Sequence, residues 1–121
     1  MRPTAPAYTY RAIVVSIYDG DTWTVDIDCG FGIWLRKQKL RLYGVDTPEL
    51  RGDEREAGLA ARDWCRELAP PGTEILLETM KDKTGKYGRW LAVIWLDGLE
   101  RSLNTSLIET GHARAYDGGA R

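Results

Sequence analysis

The 121-residue sequence predicts a β-rich α+β fold. The expected architecture is a small, partly open five-stranded Greek-key barrel of the OB type, with a helix between strands 3 and 4 and a short C-terminal helix. Three observations predict it. Apolar and polar residues alternate cleanly over Trp23–Cys29 between two glycine-bearing turns. One amphipathic run, Asp53–Leu68, ends at Pro70-Pro71-Gly72. The order is three strands, a helix, two strands and a helix. Barrels of this kind commonly carry oligonucleotides on one face, but a fold alone does not assign a function.

Residues 1–7 read as a loose arm, because Pro3 and Pro6 forbid regular pairing. Tyr8–Tyr18 is rich in β-branched and aromatic residues (Ile13, Val14, Val15, Ile17) and reads as the first strand. Asp19-Gly20 is a turn dipeptide. The second strand follows, with Trp23, Val25, Ile27 and Cys29 on one face and Thr24, Asp26 and Asp28 on the other. Ile33–Tyr43 is a third strand with a fault: Ile33 and Leu35 share one parity, Leu40 and Leu42 the other. A bulge around Lys37–Lys39 reconciles them. Arg41 then faces away from Leu40 and Leu42. Gly44–Leu50 is a loop, since Pro48 pushes Thr47 out of the helical region.

In the Asp53–Leu68 helix, Ala57, Ala60, Ala61, Trp64 and Leu68 form the expected apolar stripe. Glu74–Thr79 is a fourth strand and Met80–Gly88 a polar loop with Lys81, Lys83 and Lys86. Arg89–Leu96 is apolar on both faces, hence a central fifth strand. Asp97-Gly98 turns the chain into a short helix, Ser102–Glu109, with Leu103 and Leu107 inward and Gly111 as its stop. Residues 117–121 form a frayed tail. All 121 residues are expected to form one domain.

Composition narrows the function. A net charge of -1 means that any polyanion site is a local patch rather than a basic surface. No apolar run approaches the ~18 residues of a membrane span. The first ten residues carry no apolar leader core, consistent with a cytoplasmic chain or one exported after processing. Cys29, Cys65 and His112 are too dispersed for a structural zinc site. Two free thiols are expected for the cysteines, although they could pair.

Three clusters carry chemistry. Asp19-Gly20-Asp21-Thr22 is an ordinary turn sequence, yet Asp21 is not needed for the turn and suits a hard cation at the mouth of a strand. Arg41 through Glu49 puts a guanidinium and two carboxylates, Asp46 and Glu49, around a rigid Pro48. Lys86-Tyr87-Gly88-Arg89 is either a solvated basic loop or an approach to the barrel face with Arg89 at its end. One reaction uses all three. Phosphodiester hydrolysis needs a Lewis-acid cation, a carboxylate that takes the proton of water, and guanidinium forks matched to phosphate oxygens. The donors are oxygens, so the metal should be hard: Ca²⁺ first, Mg²⁺ second.

As they stand, Asp-Gly-Asp-Thr at 19–22, Arg-Leu-x-x-Val-Asp-Thr-Pro-Glu at 41–49 and Lys-Tyr-Gly-Arg-x-Leu-Ala at 86–92 resemble the motifs of the staphylococcal (micrococcal) nuclease family, in order. Asn104, Leu107 and Gly111 resemble its second helix. The resemblance extends over about residues 8–116 and implies an OB-type barrel that cleaves DNA and RNA with Ca²⁺. It implies Asp21, Asp46 and the backbone carbonyl of Thr47 as metal ligands. It further implies Glu49 as general base, and Arg41 and Arg89 as phosphate clamps. Cleavage would expel the 5′ oxygen and leave 3′-phosphate ends. Lys86, Tyr87 and Tyr116 would bind the substrate, which is DNA or RNA, preferably single-stranded or frayed. The chain resembles a compact bacterial or phage-type member that stops before a third helix, and Gly85 replaces an aspartate of the family. A monomer is expected.

Two other readings compete. One is a non-catalytic nucleic-acid- or protein-binding module, which has no reason to hold Asp21, Arg41, Asp46, Glu49 and Arg89 together. The other is a two-carboxylate glycosidase, which would need a sugar-stacking cleft free of arginines. Against it, Trp23, Trp64, Trp90 and Trp95 sit at core-like spacing.

Overall fold

The computed structural model describes residues 8–84 and 89–116, with only the backbone of 80–84. The expected arm (1–7) and tail (117–121) and the side chains of Lys81, Lys83, Lys86 and Tyr87 lie outside the described residues. The five main strands are β1 (Thr9–Asp19), β2 (Thr22–Asp28), β3 (Trp34–Leu42), β5 (Glu74–Thr84) and β6 (Trp90–Trp95). They close into a barrel in the order β1-β2-β3-β6-β5. All contacts in it are antiparallel except β3 with β6. The barrel is therefore closed where the sequence suggested a partly open one. The parallel β3–β6 pairing, Leu40–Leu42 against Trp90–Ala92, seals it.

Alternation places Ala12, Val14, Trp23, Val25, Leu40, Leu42, Leu77, Ala92 and Ile94 inside, each at most 1% exposed. The expected fault in β3 is present. Val25 faces Gln38 but Ile27 faces Leu35, so β3 holds one extra residue there, and Lys37 takes a positive φ of 51°. Two more irregularities lie in β1: Val15 and Tyr18 have no partners in β2, and the register shifts at each.

A 3-10 turn (Gly52–Glu54) leads into α1 (Arg55–Leu68). The buried face of α1 is Gly58, Ala61 and Cys65; of the predicted stripe Ala61 is buried and Trp64 packs half-buried against the core, but Ala57, Ala60 and Leu68 are exposed. The spacing of three and four is right, but the face is rotated. Gly58 explains the rotation. A methyl group there would lie 2.8 Å from the Pro48 carbonyl oxygen and would collide with the Glu49 carbonyl oxygen. The helix thus touches the loop backbone where its own side chain is smallest. Arg66 secures α1 by donating to Ile17 O at 2.8 and 3.1 Å.

The chain differs from expectation in two further places. β5 continues through Thr84 rather than ending at Thr79, because its extension reaches β6 again at Thr84–Trp90. Within the predicted 44–50 loop, β4 (Val45–Asp46) pairs with β7 (Arg114–Ala115). Between β6 and β7, α2 (Leu103–Glu109) is capped by Ser102, whose side chain accepts from Thr105 N at 3.1 Å. Buried Asn104 fastens α2 to the barrel: it accepts from Ile94 N and donates to Tyr43 O and Ala92 O, at 2.8–3.0 Å. No helix among the described residues is long and apolar enough to cross a membrane.

Candidate active site

The β1–β2 turn, the end of β3 and the β4 segment meet at one end of the barrel. Gly20 permits the close approach: a methyl group on it would lie 2.6 Å from the Thr47 methyl and 3.3 Å from Ala61 Cβ. Trp23 Nε1 donates to Gly20 O at 3.1 Å, fixing the turn from below. Asp21 is consequently buried and its Oδ2 accepts from Thr47 N at 3.1 Å, joining segments 26 residues apart.

Arg41 lies at the centre and is 6% exposed. Its Nη1 donates to Leu42 O (2.9 Å) and Val45 O (2.8 Å) and lies 3.2 Å from Asp21 Oδ2. Its Nη2 lies 4.0 Å from Asp46 Oδ1. Among the described residues that buried Nη2 has no hydrogen-bond acceptor, and the buried Thr47 hydroxyl has no hydrogen-bond partner. A buried charged donor left unmatched is costly, and an anion placed beside it would remove the cost. The Tyr116 ring lies 5.7 Å from the Arg41 guanidinium carbon, and Tyr116 N donates to Gly44 O.

Arg89 joins from the start of β6. Its Nη1 donates to Thr22 Oγ1 at 3.3 Å, and the Thr22 hydroxyl reaches Asp21 Oδ1 at 3.4 Å. Asp21, Arg41, Asp46 and Thr47 are therefore in direct contact, Arg89 is one side chain removed, and Tyr116 covers the Arg41 face. Glu49 is exposed on the loop after Asp46, its backbone against Gly58 of α1. Lys86 and Tyr87 fall outside the described residues.

Two participants were not singled out from sequence. Asp19 Oδ1 accepts from Asp21 N at 3.2 Å. Burial, then the hydrogen bond and charge of Asp21, push its carboxyl up to about 7. Arg114 Nη2 lies 3.2 Å from Asp46 Oδ2, across the β4–β7 pair. Only that two-residue pairing brings Arg114 there, and nothing in its local sequence announces it.

The donor set bears on a metal. Asp21, Asp46 and the Thr47 carbonyl offer oxygen donors only, with Asp19 adjacent. Among the described residues no three His, Cys, Asp or Glu side chains gather as a metal group by themselves. The set therefore fits a hard cation that also takes a carbonyl and water, as calcium does, and does not fit zinc. Cys65, below the turn, is no ligand: burial, and then the charges of Asp21 and Asp19, push its thiol up to about 12. Both cysteines are free.

The staphylococcal nuclease homologue family model matches residues 39–120. Arg41, Asp46, Thr47, Glu49 and Arg89 lie within that range, and Asp21 precedes it. The chain is 34% identical over 110 residues to the thermonuclease of Staphylococcus hyicus, covering 88% of this chain and 59% of that one. It is 32% identical over 106 residues to the thermonuclease of Staphylococcus intermedius, covering 85% and 58%. It is 30% identical over 129 residues to an uncharacterized protein of Methanocaldococcus jannaschii, covering 88% and 59%. The chain spans about three-fifths of the length of these relatives.

Proposed function

The chain belongs to the staphylococcal nuclease homologue family, and from that premise we propose that it is a calcium-dependent nuclease acting on DNA and RNA. The bond broken is that between phosphorus and the 5′ oxygen, leaving 3′-phosphate ends. The observation that carries this reading is the buried Nη2 of Arg41, an unmatched cationic donor beside two buried carboxylates. A phosphodiester oxygen beside a cation is the partner that such a site lacks.

Asp21, Asp46 and the Thr47 carbonyl would hold calcium. When bound, it would supply Lewis-acid polarisation of a phosphate oxygen. The other roles belong to the chain. Glu49 accepts the proton of the attacking water. Arg41 and Arg89 hold the equatorial oxygens as charge builds on them, and the rigid fork makes arginine better suited than lysine. Arg41 is fixed in advance by two backbone carbonyls, so it does not have to reorganise when the charge develops. Tyr116 offers a ring for a base, and Lys86 and Tyr87 would meet a terminal phosphate. A single-stranded or frayed substrate suits recognition by phosphate and stacking, and a monomer suffices for it.

The test is cleavage of single-stranded DNA in calcium and then in chelator, with calcium binding followed separately as a rise in Tm. Cleavage and the Tm rise should both disappear in chelator, and Asp21→Ala should weaken the Tm rise. Equal cleavage in chelator would refute the calcium role. Calcium-stabilised protein without any cleavage would favour the non-catalytic binding module.

A further inference from the structure

Beside the site, on the outer face of the β1–β2–β3 sheet, lies a cavity of about 460 Å³. It is lined by Ser16, Tyr18, Asp19, Thr22, Thr24, Lys39 and Arg89. The strand register lays these residues out in two rows. Asp19, Thr22 and Arg41 are cross-strand neighbours in the first row, which belongs to the site described above. Ser16, Thr24 and Lys39 are neighbours in the second, two residues further along β2. The rows are separated by roughly 7 Å at two residues of strand rise. That is close to the spacing of successive phosphates in an extended strand.

Tyr18 occupies a particular position in this groove. It is the extra residue of the second β1 irregularity, between Ile17 (opposite Trp23) and Asp19 (opposite Thr22). An extra residue re-aims its side chain, and Tyr18 is 69% exposed at the rim. Nothing in the core requires an aromatic ring there. Lys39 is exposed, and no ion pair engages it among the described residues, whereas further along the same face Arg36 is paired with Asp26 at 3.2 Å.

We propose that this groove is a substrate subsite for the nucleotide next to the scissile phosphate in a single-stranded polynucleotide. The Tyr18 ring stacks on its base, Lys39 pairs with the next phosphate, and the Ser16 and Thr24 hydroxyls face the strand between them. The proposal rests on the nuclease reading and extends it, because Arg89 and Thr22 border both the groove and the reacting centre. It predicts no base specificity, since stacking and a point charge are indifferent to base edges.

The test compares octathymidylate with a thymidine dinucleotide, using wild type, Tyr18→Ala, Tyr18→Phe and Lys39→Gln. The kcat/KM of both substrates should fall about five- to a hundredfold in Tyr18→Ala and recover in Tyr18→Phe, whereas Lys39→Gln should lower it for the octamer and not for the dinucleotide, which lacks the next phosphate. In chelator, Lys39→Gln should reduce the slope of log K against log salt for octathymidylate binding by about 0.7, the amount for one single-strand phosphate contact. If wild type cleaves the octamer but Tyr18→Ala and Lys39→Gln both keep its kcat/KM within twofold, the subsite is refuted and the nuclease reading stands. If wild type neither binds nor cleaves octathymidylate, the nuclease reading falls and the subsite with it.

Discussion

Replacing Gly58 by alanine tests how the helix supports the candidate site. On an exposed helix surface this change would stabilise by about 1 kcal/mol through helix propensity. Here the new methyl would lie 2.8 Å from both Pro48 O and Glu49 C, and closer still to Glu49 O. All three are backbone atoms, so no rotamer change relieves the collision. Overpacking of this kind costs about 1–3 kcal/mol. The expected net effect is a loss of up to about 2 kcal/mol, with the Pro48–Glu49 backbone pushed off α1. A shift of about 1 Å at a reacting group can cost on the order of 10²-fold in rate. Urea unfolding should therefore show a lower midpoint at unchanged m. Steady-state cleavage of single-stranded DNA should show a fall in kcat larger than any change in KM. Ala60→Gly is the matched control: it sits on the exposed face of α1, should cost about 1 kcal/mol, and does not touch the loop. A Gly58→Ala protein that gains stability, or keeps kcat within twofold of Ala60→Gly, would refute the idea that this glycine sets the position of Glu49.

Three other outcomes are expected. Arg41→Lys should lower kcat by about 10²–10³ while keeping a cation near Asp21, whereas Arg41→Met should also lose about 3–5 kcal/mol of stability by taking the buried Asp21 carboxylate's ion pair away; near-wild-type turnover in Arg41→Lys would contradict the fork's role. Asn104→Ala removes the side-chain partner of Ile94 N and Tyr43 O, while Ala92 O keeps Tyr43 N at 2.8 Å, and should cost about 2 kcal/mol in thermal or urea unfolding; a loss under 1 kcal/mol would show that those groups find other partners. Cys65 should resist a disulfide-exchange reagent at pH 8 until the protein unfolds, while Cys29 reacts in the folded state. Because burial raises its folded pKa to about 12 from the thiol's ordinary 9.0, the unfolded thiol loses its proton first, so stability should fall as pH rises from 9 toward 12; Cys65→Ala should flatten that slope.

Most of the barrel was legible because its signals are local. The alternation at Trp23–Ile27, the parity fault near Lys37 and the Ser102 cap each sit within a few residues. The misreadings share one cause, which is that they depend on partners distant in sequence. The face of α1 was taken from alanines and Trp64, but the barrel selects Gly58, Ala61 and Cys65 because the 48–49 backbone lies against the helix. β4 is two residues long and exists only because β7 reaches it from 68–70 residues away. Arg114 entered the site by that route. Asp21, Arg41 and Asp46 could be named as a group from residue chemistry, since only a joint purpose accounts for an acid, a fork and a rigid loop together, whereas Thr47 was named only through the family resemblance. Their burial could not: the arginine was expected on an outer face, and instead Leu42 O and Val45 O draw it beneath its own loop.

That burial divides the labour within one side chain. Nη1 is used up by two carbonyls and the Asp21 carboxylate, and so holds the β3 end, the turn and β4 together. Nη2 has Asp46 only at 4.0 Å and no hydrogen-bond acceptor among the described residues. A lysine could take over the first task but not both, because its charge sits on a single nitrogen. A fully paired fork would make a more stable protein with nothing left to offer a phosphate. The unmatched donor is tolerated because its other nitrogen is overdetermined by the fold. This couples the two properties in a definite direction: a substitution that brings an acceptor to Nη2 from within the chain should raise stability and lower turnover together.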